Sequence, residues 1–168
     1  GAIQLIEQAI AINDRDPSYH SNLGRILGEI GRAEDAIASC RRALALDPGF
    51  VDAHNNLAAA LAARGDWDGA AAEYQRALAL APGSLELLNN LATALRHQGN
   101  RQAASELNRK ALDLSPANFD ALLALAADAR MSGDLDKATV LCRRALAGNP
   151  GNARALLELG NIQRRQGQ

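Results

Sequence analysis

HNNLAAAL, residues 54–61, comes back with small edits on either side of itself. Thirty-four residues earlier the chain reads HSNLGRIL (20–27), and thirty-four later it reads LNNLATAL (88–95). Leucines recurring at one interval read as core. The asparagines Asn22, Asn56 and Asn90 do not, because amides are seldom chosen for burial. Each unit therefore carries a side chain that packing alone does not explain.

The interval holds along the whole sequence of 168 residues. Gly31, Gly65, Gly99, Gly133 and Gly167 are spaced by 34, and so are Pro48, Pro82, Pro116 and Pro150. Leu23, Leu57, Leu91, Leu125 and Leu159 share that spacing, as do Ala36, Ala70, Ala104 and Ala138, and Ala43, Ala77, Ala111 and Ala145. Periods of this length mark stacked supersecondary units.

Each unit reads as two helices. The first starts near Pro17, Val51, Leu85, Phe119 or Ala153 and stops at the glycine, where a left-handed residue carries no Cβ penalty. Asp16, Ser84, Asn118 and Asn152 stand where an N-cap belongs, and Phe50 breaks that column. The second helix is capped by Asp66, Asn100 or Asp134 and ends before the proline. Residues 1–16 then form the second helix of a partial repeat, 17–50, 51–84, 85–118 and 119–152 are full repeats, and 153–168 form the first helix of another partial repeat. That single array leads us to expect nine main helices, grouped as one lone second helix, four pairs and one lone first helix. Ala58 and Ala70, with their equivalents, mark the close contact between paired helices. Leu57, Leu61, Leu78, Leu80 and their equivalents are expected to fill the space between units.

These columns resemble the tetratricopeptide repeat, whose marks fall on Leu57, Ala58, Ala70, Tyr74, Ala77 and Pro82. The resemblance implies an all-α, right-handed superhelical solenoid of 34-residue helix–turn–helix repeats, with first helices lining a concave groove. The family's early tryptophan is absent, its column being His20, His54, Leu88, Leu122 and Leu156; its later aromatic survives only as Tyr74.

Composition narrows the function. Net charge is −1 and aromatics are 3% of residues, which argues against nucleic acid as a partner. No apolar run is long enough to cross a bilayer, so no membrane partner is expected. Sixteen of the eighteen basic residues are Arg, a usage that suggests a GC-rich bacterial genome. Cys40 and Cys142 share one column three units apart, too far for a disulfide, and read as small buried groups suited to a reducing, cytoplasmic compartment. His20 and His54 have no third ligand column, so a packing role is preferred to a metal site. No phosphate loop, nucleophile elbow or carboxylate pair stands out, and no catalytic residue, cofactor or metal is expected.

The asparagine column then becomes the candidate site. Beside it stand Ser21, Asn55 and Asn89, and one turn on come Arg25, Ala59 and Thr93. An amide offers a donor and an acceptor together, the complement of a peptide group. One amide per layer can hold an extended main chain, or it can tie neighbouring first helices to each other. The column resembles that in the repeat domain of O-linked N-acetylglucosamine transferase, where such asparagines grip peptides, and it fades at Ala124 and Glu158. The expected groove set is Asn22, Asn55, Asn56, Asn89, Asn90, Arg25 and Thr93, with Asp52 and Glu86 favouring basic residues. Arg96 and His97 add side-chain selectivity in the next layer, and Leu123 makes the far half more apolar. Carboxylate-clamping repeats fit poorly, because Asp52, Glu86 and Asp120 would repel the ligand.

The expected function is a protein-interaction scaffold binding an extended peptide or a helix. The alternative is the substrate-recruiting arm of a larger glycosyltransferase or sulfotransferase. Head-to-tail self-stacking is also expected, through exposed faces made by Ile3, Ile6 and Ile10 at one end and Leu156, Leu159 and Ile162 at the other.

Overall fold

The computed structural model describes residues 1–167, whose regular secondary structure is entirely α-helical. In order the helices are α1 (Ala2–Ile12), α2 (Pro17–Glu29), α3 (Ala33–Leu46), α4 (Val51–Ala63), α5 (Trp67–Leu80), α6 (Leu85–His97), α7 (Arg101–Leu114), α8 (Phe119–Ser132), α9 (Leu135–Gly148) and α10 (Ala153–Gln166). That makes ten among the described residues, one more than the expected nine. The grouping expected from the sequence, four pairs between two single helices, itself sums to ten.

Local chemistry sets the boundaries. The five first helices begin at Pro17, Val51, Leu85, Phe119 and Ala153. Asp16, Ser84, Asn118 and Asn152 each accept a hydrogen bond from a backbone N–H of the first turn, and Phe50 caps nothing with its side chain. Asp66, Asn100 and Asp134 cap α5, α7 and α9 in the same way. Gly31, Gly65, Gly99, Gly133 and Gly167 all take positive φ, between 79° and 88°, so the turn between first and second helix is left-handed each time.

The chain divides into two compact units, Gly1–Gln98 and Gly99–Gln168. In the first, α2 packs on α3, α4 on both α3 and α5, α5 on α6, and the first helices α2 and α4 touch directly. At Gly24 of α2 there is no room for a side chain, since an added Cβ would lie 2.4 Å from the Cys40 Sγ of α3. In the second unit α8 is central, packing on α7, α9 and α10 around Leu122, Leu125, Cys142 and Ile162.

Several expected positions differ. Leu57 and Leu61 are buried, but Leu80 is 50% exposed and Leu114 55%. Residues two apart on a helix point about 200° apart, so Leu78 and Leu80 cannot both face inward. Ile162, expected on an exposed end face, is fully buried, and Leu159 packs against the same core. Ala155, Leu159 and Ile162 form the inward stripe of α10, which leaves Leu156 and Leu157 outside. On α1 it is Leu5 and Ile12 that are exposed, while Ile3, Ile6 and Ile10 are half-buried.

Asn108 is 3% exposed, and its Nδ2 has no hydrogen-bond partner among the described residues. The same column holds Cys40 and Cys142. Replacing Asn108 with Cys removes an unpaired buried donor, and we expect a gain of about 1–3 kcal/mol in urea denaturation. A loss of stability would mean that the amide has a partner the fold depends on.

Candidate functional site

In the first unit, five of the expected groove residues meet in one pocket of about 380 Å3: Arg25, Asn55, Asn56, Glu86 and Asn90. Small residues make room for it, Gly24 and Gly28 on α2 and Ala59, Ala60 and Ala63 on α4. Helix α4 presents two adjacent amides, and each bonds to a neighbouring first helix. Asn56 Nδ2 donates to Ser21 Oγ at 3.0 Å and to the Ser21 carbonyl at 3.3 Å. Asn90 Nδ2 donates to Asn55 Oδ1 at 3.2 Å, and Asn55 Nδ2 donates to Glu86 Oε1 at 2.8 Å.

The asparagines therefore do tie the layers together. The ties run diagonally: residue 56 reaches back to 21 and residue 90 to 55, each one period and one residue away. The series has no next amide in the sequence, because residue 124 is alanine. Asn89 Oδ1 is buried without a hydrogen-bond partner among the described residues. In the second unit the same column holds Glu158, half-buried on α10, which accepts from Arg130 Nε of α8 at 2.6 Å. There an ion pair joins successive first helices, where amides do so in the first unit.

The structure leaves the other expected residues outside the pocket. Asn22, Asp52 and Thr93 are exposed, and Thr93 Oγ1 donates to the Asn89 carbonyl of its own helix. His97 stacks on Trp67 with ring centroids 3.8 Å apart and planes within 4°. Arg96 is half-buried at the end of α6. Leu123, expected to give the groove an apolar lining, is 6% exposed and belongs to the second unit's core. Sequence reasoning missed Ser21 as an acceptor and Glu29, which pairs with Arg25 across one helical turn on the pocket rim. The 35-residue offset between donor and acceptor was the signal for Ser21.

The remaining reactive groups belong to packing. His20 Nε2 lies 3.0 Å from the Asp14 carbonyl, and His54 Nε2 lies 2.9 Å from the Pro48 carbonyl. Each ring thus donates to the loop six residues before it. Burial pushes the Cys40 thiol up to about 12, and burial first, with Glu158 adding to it and Arg130 opposing, pushes Cys142 up to about 11. Burial, followed by the charge of Glu86, raises the Tyr74 phenol to about 12. The Ser18 hydroxyl and then the Ser18 N–H hold Asp16 below the usual carboxylate range, as the Gly69 N–H does for Asp66. No cluster of three or more His, Cys, Asp or Glu side chains suited to a metal occurs among the described residues. No helix among them is long and apolar enough to cross a membrane.

Two family models described as tetratricopeptide repeat match the chain, one at residues 1–49, 21–84 and 55–119 and the other at 119–162. No curated protein sequence matches it. Among solved structures, MamA is 23% identical with a TM-score of 0.79, covering 88% of this chain and 86% of its own. YrrB, described as a TPR protein with an unusual peptide-binding site, is 21% identical with a TM-score of 0.78, covering 96% and 83%. The pilF protein of Pseudomonas aeruginosa is 24% identical with a TM-score of 0.81, covering 91% and 70%. At such identities the likeness is one of fold.

Proposed function

The chain belongs to the tetratricopeptide-repeat family, and from that premise we propose that it is a protein-interaction scaffold whose amide-lined pocket holds an extended peptide of a partner. One observation carries this reading. The inter-helix ties use the donors of Asn56 and Asn90, while their Oδ1 atoms accept nothing among the described residues. Two unspent acceptors on successive layers, above a floor of alanines, suit the N–H groups of an extended main chain. The same asparagines thus hold the layers together and present acceptors to a ligand. Two carboxylates, Glu29 and Glu86, share the pocket with one guanidinium, Arg25, which favours a peptide carrying Lys or Arg. That YrrB is described as having a peptide-binding site supports the reading.

The test is a peptide selected from a random displayed library, titrated against the chain and against a variant with Asn22, Asn56 and Asn90 all replaced by Ala. We expect affinity to fall at least about tenfold. The loss of hydrogen bonds to Ser21 and Asn55 should cost about 0.5–1.5 kcal/mol each in stability. Unchanged affinity together with a large fall in melting temperature would leave the amides as ties alone. Selected peptides that are acidic instead of basic would reject the role of Glu29 and Glu86.

A further inference from the structure

A second, larger cleft of about 690 Å3 opens in the first unit between the second helices α3 and α5. Both helices pack on α4, whose buried Leu57 forms part of the floor. The gap survives because the facing wall positions, Ala45 and Ala79, carry only methyl groups. These two occupy one column, which also holds Ala11 and is broken at Asp113, so between full repeats two successive alanines occur there once, at Ala45 and Ala79. Leu80, 50% exposed, also lines the cleft. An apolar trough with an uncovered leucine is a surface that gains free energy when another apolar face is laid on it.

Charge selects the occupant. The only carboxylate lining the cleft, Glu73, is already engaged by His54 Nδ1 at 2.7 Å and by Arg76. Arg41 is exposed and has no carboxylate partner among the described residues, and the Arg76 side chain is 61% exposed. The rim is therefore cationic, the reverse of the amide pocket. The α5 wall, Glu73 to Leu80, runs for about 10 Å at 1.5 Å per residue. Two helical turns of a partner fit that length.

We propose that this cleft docks an acidic amphipathic helix of a partner protein. Two of its apolar side chains, three or four positions apart, lie in the trough between Ala45 and Ala79, and its Asp or Glu residues face Arg41 and Arg76. The cleft is open along its length, which suits a helix better than an enclosed small molecule.

The test uses the full chain and two displayed libraries of 16-residue helices. Both vary the apolar face; one fixes Asp and Glu on the other face, and one fixes Lys and Arg. We expect the acidic library to yield binders and the basic one none. The best binder, labelled with fluorescein, should bind about tenfold more weakly to Ala79→Gln, which fills the trough, and to Arg41→Glu, which reverses the rim. It should bind unchanged to the triple asparagine variant. Leu80→Ser gives an independent check should Ala79→Gln lose its helical circular dichroism. Enrichment of basic helices, failure to enrich acidic ones, or full affinity for the Arg41→Glu variant would overturn the proposal. So would displacement of the helix by oleate at the same site with equal or greater affinity, which would make the cleft a site for anionic amphiphiles.

Discussion

Truncating Leu122 to alanine will lower the stability of the second unit by about 2–5 kcal/mol. Leu122 is 1% exposed and sits among Leu125, Leu141, Cys142 and Ile162. Part of the loss is the transfer free energy of the deleted atoms. The rest depends on whether the surroundings can close over the hole. Here they are held on three sides, since α8 packs on α7, α9 and α10 at once. Moving any one helix inward would break its contact with another. The matching column in α10 holds Leu156, which is 48% exposed, and its truncation should cost about 1 kcal/mol or less. Urea denaturation of the two variants checks the contrast, with hydrogen exchange of the α8 and α9 amides reporting where protection is lost. A cost below about 1 kcal/mol for Leu122→Ala would mean that the core relaxes into the space.

What could be read from the sequence was whatever a few neighbouring residues decide among themselves. Asp16, Ser84, Asn118 and Asn152 satisfy N–H groups two or three residues away, so helix starts were legible to the residue. The glycine column was equally local, because a left-handed turn is a property of one residue. Side-chain direction was harder. Leu78 and Leu80 look alike in the sequence, yet only one can face inward; Ile162, expected on an exposed face beside Leu156, is buried while Leu156 is exposed, because they lie on different sides of α10. Leu123 was read as groove lining because it neighbours the asparagine column, but burial depends on what packs over it. The asparagine column was found, and both readings of it were open. Seeing the ties needed the partners of the amide Nδ2 atoms, which lie 35 residues away and on other helices. The Trp67–His97 stack joins two positions that no repeat column relates. The His54–Glu73 bond is different, for its signal was present and unread.

Replacing His54 and Glu73 together by leucine will leave stability within about 1 kcal/mol of the wild type, or raise it, whereas His54→Leu alone will cost about 3 kcal/mol. The two side chains are 9% and 13% exposed, and His54 Nδ1 lies 2.7 Å from Glu73 Oε2. The other ring nitrogen faces the Pro48 carbonyl at 2.9 Å. Removing the ring strands a largely buried carboxylate and the loop carbonyl together, and an orphaned buried polar group costs its desolvation in full. Arg76 still reaches Glu73, which keeps the expected penalty at the low end of the range for a broken buried pair. Removing both polar partners leaves only the Pro48 carbonyl to be satisfied by water. The repeats themselves show that the apolar version fits, since the columns of His54 and Glu73 read Leu88 with Leu107 and Leu122 with Leu141. In the second unit Leu122 and Leu141 belong to one core cluster, at 1% and 7% exposure. The two positions therefore switch between a polar pair and an apolar pair together. A double-mutant cycle by urea denaturation, with Glu73→Leu as the fourth member, should give a coupling of about 2–3 kcal/mol. If the two single substitutions simply add, the ring and the carboxylate act independently, and the stability of this layer rests on the loop contact at Pro48 instead.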